Sequence, residues 1–220
     1  MYQWDFSAVW TYRAILWTGL QNTVVLAVIC LSAGLFFGLF VGAARYSSKP
    51  IFNYPATAFV EIFRNTPVLI QIMWFFFAFP IISPFAIDAF TAASLALILN
   101  TTAFSSEIFR AGIQSIAKGQ WEAAKALGMT YWQQMGRIIL PQAVTRMIPA
   151  FTNRGVELIK MTSLASVIAY GELMHQAKSI AAFSFNPIEM YTVAAVIYFL
   201  LIFPFTLLVR RLENRLKAKG

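Results

Sequence analysis

The stretch "KGQWEAAKALGMTYWQQMGRIILPQA", Lys118 to Ala143, decides how this chain is read, because it is polar and lies in the middle of an otherwise apolar sequence. Gly119 to Leu127 reads as a short helix, since Glu122, Ala123, Ala124, Lys125, Ala126 and Leu127 are all good helix formers. Gly128 suits the left-handed stop behind it. Thr130 stands three residues before Gln133, the spacing of a capping box that starts a second helix. Pro141 is expected to end or bend that helix. The insertion therefore predicts two short helices at an angle around a glycine corner. Ala123, Ala124 and Ala126 keep the first helix thin, which suits entry into a groove on another protein. A surface connector without a partner fits the same spacing.

Outward from this insertion the chain reads as membrane. Of its 220 residues 59% are hydrophobic and only 12% charged, with a mean hydropathy of +0.66, whereas a soluble domain carries about 25% charged residues. Cys30 is the single cysteine, so no disulfide scaffold exists within the chain. The net charge of +8 gathers at the ends of apolar segments, a membrane-topology pattern that argues against a nucleic-acid partner. Met1 to Trp17 has no basic start, which speaks against a cleaved signal. Tyr2, Trp4, Trp10, Tyr12 and Trp17 read as interfacial anchors.

Crossing the hydrocarbon core takes about 20 mostly apolar residues. Ala14 to Ala44 is free of charge. A second span is expected from near Tyr54 to Ile87, with Glu61 and Arg64 in its first turns. Ala89 to Ser106 gives a third, about Val144 to Tyr170 a fourth despite Arg146, Arg154, Glu157 and Lys160, and Met190 to Val209 a fifth. Arg45, Lys49, Lys118, Lys125, Arg137, Arg210, Arg211, Arg215, Lys217 and Lys219 put ten cations on one side, against Arg13 and Lys178 on the other. The expectation is an all-α integral membrane protein of five transmembrane helices, N-terminus outside and C-terminus cytoplasmic. Gly34, Gly38 and Gly42, four apart, mark a face where another backbone comes close.

Glu122-Ala123-Ala124, Gly128 and Ile139-Leu140-Pro141 resemble the EAA motif of ABC importer permeases. "EIFRNTPVLIQ" (Glu61 to Gln71), "SEIFRAGIQSIAKGQWEAAKALGM" (Ser106 to Met129), "LPQA" (Leu140 to Ala143) and "TSLASVI" (Thr162 to Ile168) are similar to the polar amino-acid permeases of the histidine, glutamine and glutamate type. The resemblance spans roughly residues 15 to 215. It implies a type I ABC transmembrane domain (15–210, coupling insertion about 118–141) between an interfacial segment (1–14) and a basic cytoplasmic tail (211–220). It also implies a bacterial inner-membrane location, a second permease subunit (identical or homologous), a cytoplasmic ABC ATPase dimer, an extracytoplasmic solute-binding protein and an amino-acid substrate. The coupling residues would be Gly119, Glu122, Ala123, Ala124 and Gly128.

The chain has no G-x-x-x-x-G-K-S/T phosphate loop, so ATP chemistry is expected on a separate subunit and no cofactor on this one. There is no H-E-x-x-H, and His175 is the single histidine, which excludes that type of intramembrane metalloprotease. An ion channel would not need the insertion. Ionisable groups within spans cost several kcal/mol unless paired or hydrated, on the order of 2.5–3.5 on insertion scales, so they mark a pathway or an internal pair. Asn100, Phe104, Glu107 and Ala111 share one helix face, and Asn153, Glu157, Lys160 and Leu164 another. Glu157 with Lys160, and Glu61 with Arg64, have the spacing of internal ion pairs. An amino acid needs acceptors for its ammonium and donors for its carboxylate. The expected substrate contacts are Asn100, Glu107, Lys160, Met161, Thr162 and Ser163. Relatives commonly read K-D-T-S-L where this chain has Met161 after Lys160. The missing carboxylate favours acidic or neutral amino acids over basic ones, or marks the non-binding half of a heterodimer.

Overall fold

Gly34, Gly38 and Gly42 are buried along one face of a long helix, and that face meets a second helix almost backbone to backbone. A Cβ on Gly34 would lie 2.5 Å from Thr101 Cγ2. One on Gly38 would lie 2.6 Å from Ser105 Cβ, and one on Gly42 3.0 Å from the Ser106 carbonyl oxygen. The computed structural model that reveals this seam describes residues 2–217, and those residues form helices and their connections. After a short α1 (Ser7–Thr11), α2 (Arg13–Tyr46) supplies the glycine face and α6 (Ala89–Gln114) the small residues opposite. Leu26, Cys30, Ala93 and Leu97 close the core beside the seam. In α2 the Thr18 and Thr23 hydroxyls donate to the carbonyls of Ala14 and Gly19, so neither is left unpaired in an apolar setting.

The expected second span is not one straight helix. α3 (Pro50–Asn65) and the run Val68–Ile82 meet at 103°. Pro67 cannot donate a hydrogen bond and holds Thr66 extended at ψ 131°, which stops α3. The carbonyls stranded at the break find side-chain donors. Gln71 Nε2 reaches Phe63 O and Thr66 O, both at 2.9 Å, and Asn100 Nδ2 reaches Phe63 O at 2.9 Å. Glu61 and Arg64 therefore belong to α3, ahead of the break.

Beyond it run α4 (Val68–Met73), a π-helical turn (Trp74–Ala78) and α5 (Phe79–Ile82). The same device recurs after α7 (Lys118–Ala126) and α8 (Tyr131–Gln134), where a π-turn (Met135–Ile139) leads into α9 (Leu140–Met161). In each case a proline, Pro80 or Pro141, occupies the second position after the π-turn. The residue before it donates five residues back, Phe79 to Trp74 and Leu140 to Met135. The wider register removes the need for the donor that proline lacks. Of the two outcomes expected at Pro141, an end or a bend of the second helix, the end does not occur: the helical path continues from Tyr131 to Met161.

The glycine corner forms as expected. Gly128 has φ +73°, Met129 N–H donates to Ala124 O and Gly128 N–H to Lys125 O, a pairing of the Schellman type. The Thr130–Gln133 capping box is complete. After α9 the chain tightens into a 3-10 helix (Thr162–Ile168), turns at Ala169 (φ 58°), and continues as α10 (Leu173–Ser184) and α11 (Pro187–Lys217). α10 and α11 pack through Leu173, Ala177, Ile180, Met190 and Ala194.

Among the described residues, α2, α6 and Pro187–Val209 of α11 are each long and apolar enough to cross a membrane. α3 with Val68–Ile82 qualifies only as a bent pair. α9 is not among them, because its polar residues interrupt the apolar pattern. Lys219 and the end of the basic tail lie outside the described residues.

Candidate functional site

Arg154 organises the polar interior. Its residue is only 3% exposed, and its guanidinium is held by three side chains and a ring. Nη1 donates to Glu157 Oε2 at 2.8 Å, and Nη2 to Asn100 Oδ1 at 2.6 Å and Thr101 Oγ1 at 3.2 Å. The Phe104 ring centroid lies 4.4 Å from Cζ, within cation–π range. Its Nε is buried without a protein partner. Since Asn100 also holds the Phe63 carbonyl, hydrogen bonds run from the break after α3, through α6, to Glu157 on α9. Glu157 keeps half of its side chain exposed.

This corrects one expected pair: Glu157 bonds Arg154, not Lys160. Both cations are three residues away, but only Arg154 faces the acceptors on α6 that hold a guanidinium in place. The Glu61–Arg64 pair is corrected too. Glu61 lies 3.9 Å from Arg45, and Arg64 lies 3.8 Å from Glu107, with its guanidinium 5.2 Å from the Phe104 ring centroid. Glu107 gathers cations from three helices. It pairs closely with Arg45 and Arg110 and more loosely with Arg64.

Five of the six expected substrate contacts have partners or packing within the fold. Asn100 is buried, with both ends of its amide engaged. Glu107 lies seven residues, about 10 Å, further along α6, in its arginine cluster. Thr162 is buried and donates to Ile159 O, and Ser163 donates to Lys160 O. Met161 packs against the core around Leu97 and Leu158. Lys160 is exposed, as are Asn153 and Glu157. Those three make a polar stripe along α9.

In the insertion, Gly119, Glu122, Ala123 and Gly128 are exposed. Ala124 is not: it is fully buried against the chain's own fold, which corrects its expected place on a partner-facing surface. The carbonyl of Ala124 holds the corner through Met129 N–H.

Sequence reasoning singled out neither Arg154 nor Glu172. Arg154 was visible as a cation within a span, yet its partners on α6, Asn100 and Thr101, lie more than fifty residues away. Glu172 is buried and caps α10 through the amides of Met174 and His175. Tyr198 donates to it from α11 at 2.6 Å. Burial pushes its carboxyl up, and the Tyr198 hydroxyl and the two amides oppose that shift. Its sequence signal is an acidic residue three before His175 at a helix start. The His175 backbone thus has a structural task.

Residues 34–218 match the family described as binding-protein-dependent transport system inner membrane component, and the chain belongs to that family. Its relatives are permease subunits of ABC transporters, membrane components rather than ATPases, and the chain is a multi-pass protein of the inner membrane. It is 38% identical over 216 residues to the glutamine transport system permease protein GlnP of Escherichia coli (strain K12), covering 98% of this chain and 99% of that protein. It is 36% identical over 214 residues to the arginine transport system permease protein ArtQ of Bacillus subtilis (strain 168), covering 97% and 98%. Its fold matches a crystal structure of an amino acid ABC transporter with histidines at a TM-score of 0.92 and 33% identity, over 97% of this chain and 100% of that one.

Proposed function

We propose that this permease carries a polar amino acid, acidic or neutral rather than basic, inward across the membrane, and that the α9 stripe of Asn153, Glu157 and Lys160 lines its path. The observation that carries this is the exposed Glu157 carboxylate backed by the buried Arg154. Polar side chains left exposed on a helix within a bilayer need water, a ligand or a protein partner. Glu157 accepts a substrate ammonium, and Lys160 attracts a carboxylate. Arg45, Arg64, Arg110, Arg154 and Lys160 outnumber Glu61, Glu107 and Glu157 on α2, α3, α6 and α9, which disfavours a cationic side chain and agrees with the methionine at 161. The names of the relatives, glutamine and arginine permeases, support an amino-acid cargo and leave its charge open.

The rest of the reading follows the family. Five spans, with α9 as the fourth, place the N-terminus outside. The domain covers 15–210, after an interfacial segment (1–14) and before a basic tail (211–220). The insertion couples to a cytoplasmic ATPase dimer through Gly119, Glu122 and Ala123, with Gly128 setting the corner. A second permease subunit completes the pathway, and a solute-binding protein delivers the cargo. A second reading, a coupling subunit that binds no cargo itself, is favoured by the internal use of Asn100, Glu107, Thr162 and Ser163.

ATPase stimulation of the reconstituted complex with its binding protein, across a panel of amino acids, separates the two. Glu157→Gln should raise the apparent KM for the cargo by roughly tenfold or more, the loss of a charge-assisted contact. Met161→Asp should weaken an acidic cargo. A Glu157→Gln complex with an unchanged profile and intact assembly would leave the coupling-only reading.

A further inference from the structure

The basic end of the bundle has a groove that the transport path does not use. It has a volume of about 900 Å³ and runs between the end of α2, the end of α6 and the start of α9. Its body is apolar: Leu39, Phe109, Ile113, Leu140, Val144 and Met147. Its mouth is amphipathic, with Ser47 and Ser48 just past α2 and Tyr46, Tyr131 and Trp132 beside them. Leu39 and Val144 are each 49% exposed and Trp132 79%, so apolar surface stands open there. None of the lining residues is acidic, and Lys49, which follows the lining Ser48, is an exposed cation.

We infer that this groove binds an anionic phospholipid from the leaflet at the basic end, with acyl chain along α2 and α9 and phosphate at Ser47, Ser48 and Lys49. The gradient from aliphatic floor through tyrosine and tryptophan to hydroxyls and a cation matches an amphiphile in length order. A water-soluble ligand would leave the apolar floor unused. A protein segment would require an apolar stripe but not hydroxyls and a cation gathered at one end. The lipid has a mechanical consequence. Tyr131 and Trp132 form the first turn of α8, directly behind the Gly128 corner. A lipid wedged between them and α2 braces the corner against the α2–α6 seam.

The test is lipid retention by the purified permease–ATPase complex, read by native mass spectrometry after titration with phosphatidylglycerol or phosphatidylcholine. One cation at an anionic headgroup gives a preference of about fivefold for phosphatidylglycerol. Ala43→Trp, which fills the groove from α2, should abolish the tight site while the melting temperature stays near wild type. Lys49→Gln should bring the two lipids to equal retention. Equal retention in the wild type would overturn the inference, as would unaltered phosphatidylglycerol retention in a folded Ala43→Trp complex. Efficient crosslinking of two copies through Ala43→Cys would also overturn it, because a second permease would then fill the groove.

Discussion

Replacing Arg154 by methionine should be costly, and the cost can be followed atom by atom. The change removes the donors to Glu157, Asn100 and Thr101 and the cation over Phe104. Glu157 is half exposed and can be resolvated. Asn100 Oδ1 cannot, because its residue is 1% exposed, and a buried acceptor left unpaired costs about 1–3 kcal/mol. Loss of the cation–π contact adds about 0.5–2 kcal/mol. Relief of the desolvated guanidinium, with its unpartnered Nε, acts in the other direction. The balance is about 2–3 kcal/mol of lost stability, or a fall in melting temperature of roughly 4–12 °C for a chain of this size. Adding Asn100→Leu removes the stranded acceptor, so the double variant should be less damaged than the sum of the singles by about 1–2 kcal/mol. Thermal unfolding in lipid nanodiscs of the wild type, both singles and the double measures the coupling. Strict additivity, or a shift below about 1 °C for Arg154→Met, would refute the central place given to this guanidinium.

Two further outcomes are expected. Single cysteines at Ser7 and Lys217, in a Cys30→Ala background, should label from opposite faces of intact cells and inverted vesicles; labelling from one face would mean an even number of spans. Gly128→Leu forces a side chain into φ +73°, a strain on the order of 1–2 kcal/mol. It should lower ATPase association at matched membrane expression, and wild-type uptake by this variant would reduce the insertion to a connector.

What the sequence revealed were features settled within a few residues. The Gly128 corner and the Thr130–Gln133 box depend on local backbone chemistry and formed as read. Gly34, Gly38 and Gly42 announced a close contact by spacing alone, although not that α6 would be the partner. The failures share a different cause. Pro141 reads as an end or a bend in an α-helical register, and a π-turn carries the helix through it. Pro67 sets the break after α3, but the Phe63 carbonyl stranded there accepts from Asn100, 37 residues away. Glu157 had two cations at the same spacing, and side chains on another helix chose between them. Ala124 suited a partner's groove by size, but the chain's own packing claimed it first.

The seam between α2 and α6 also determines which parts of this molecule can move. Helices separated by long side chains can shift by rotamer changes, but here backbones touch with only a methyl or hydroxyl between them. Sliding α2 by less than one four-residue repeat, about 6 Å, would drive Leu35 or Leu39 into the place of a glycine. The pair therefore behaves as a stator, rigid along its length. Any alternation of access must be executed by the elements leaning on it: the bent α3–α4 arm on one side and the α8–α9 rod on the other. Arg154, bonded across from rod to stator, is the polar link between the two.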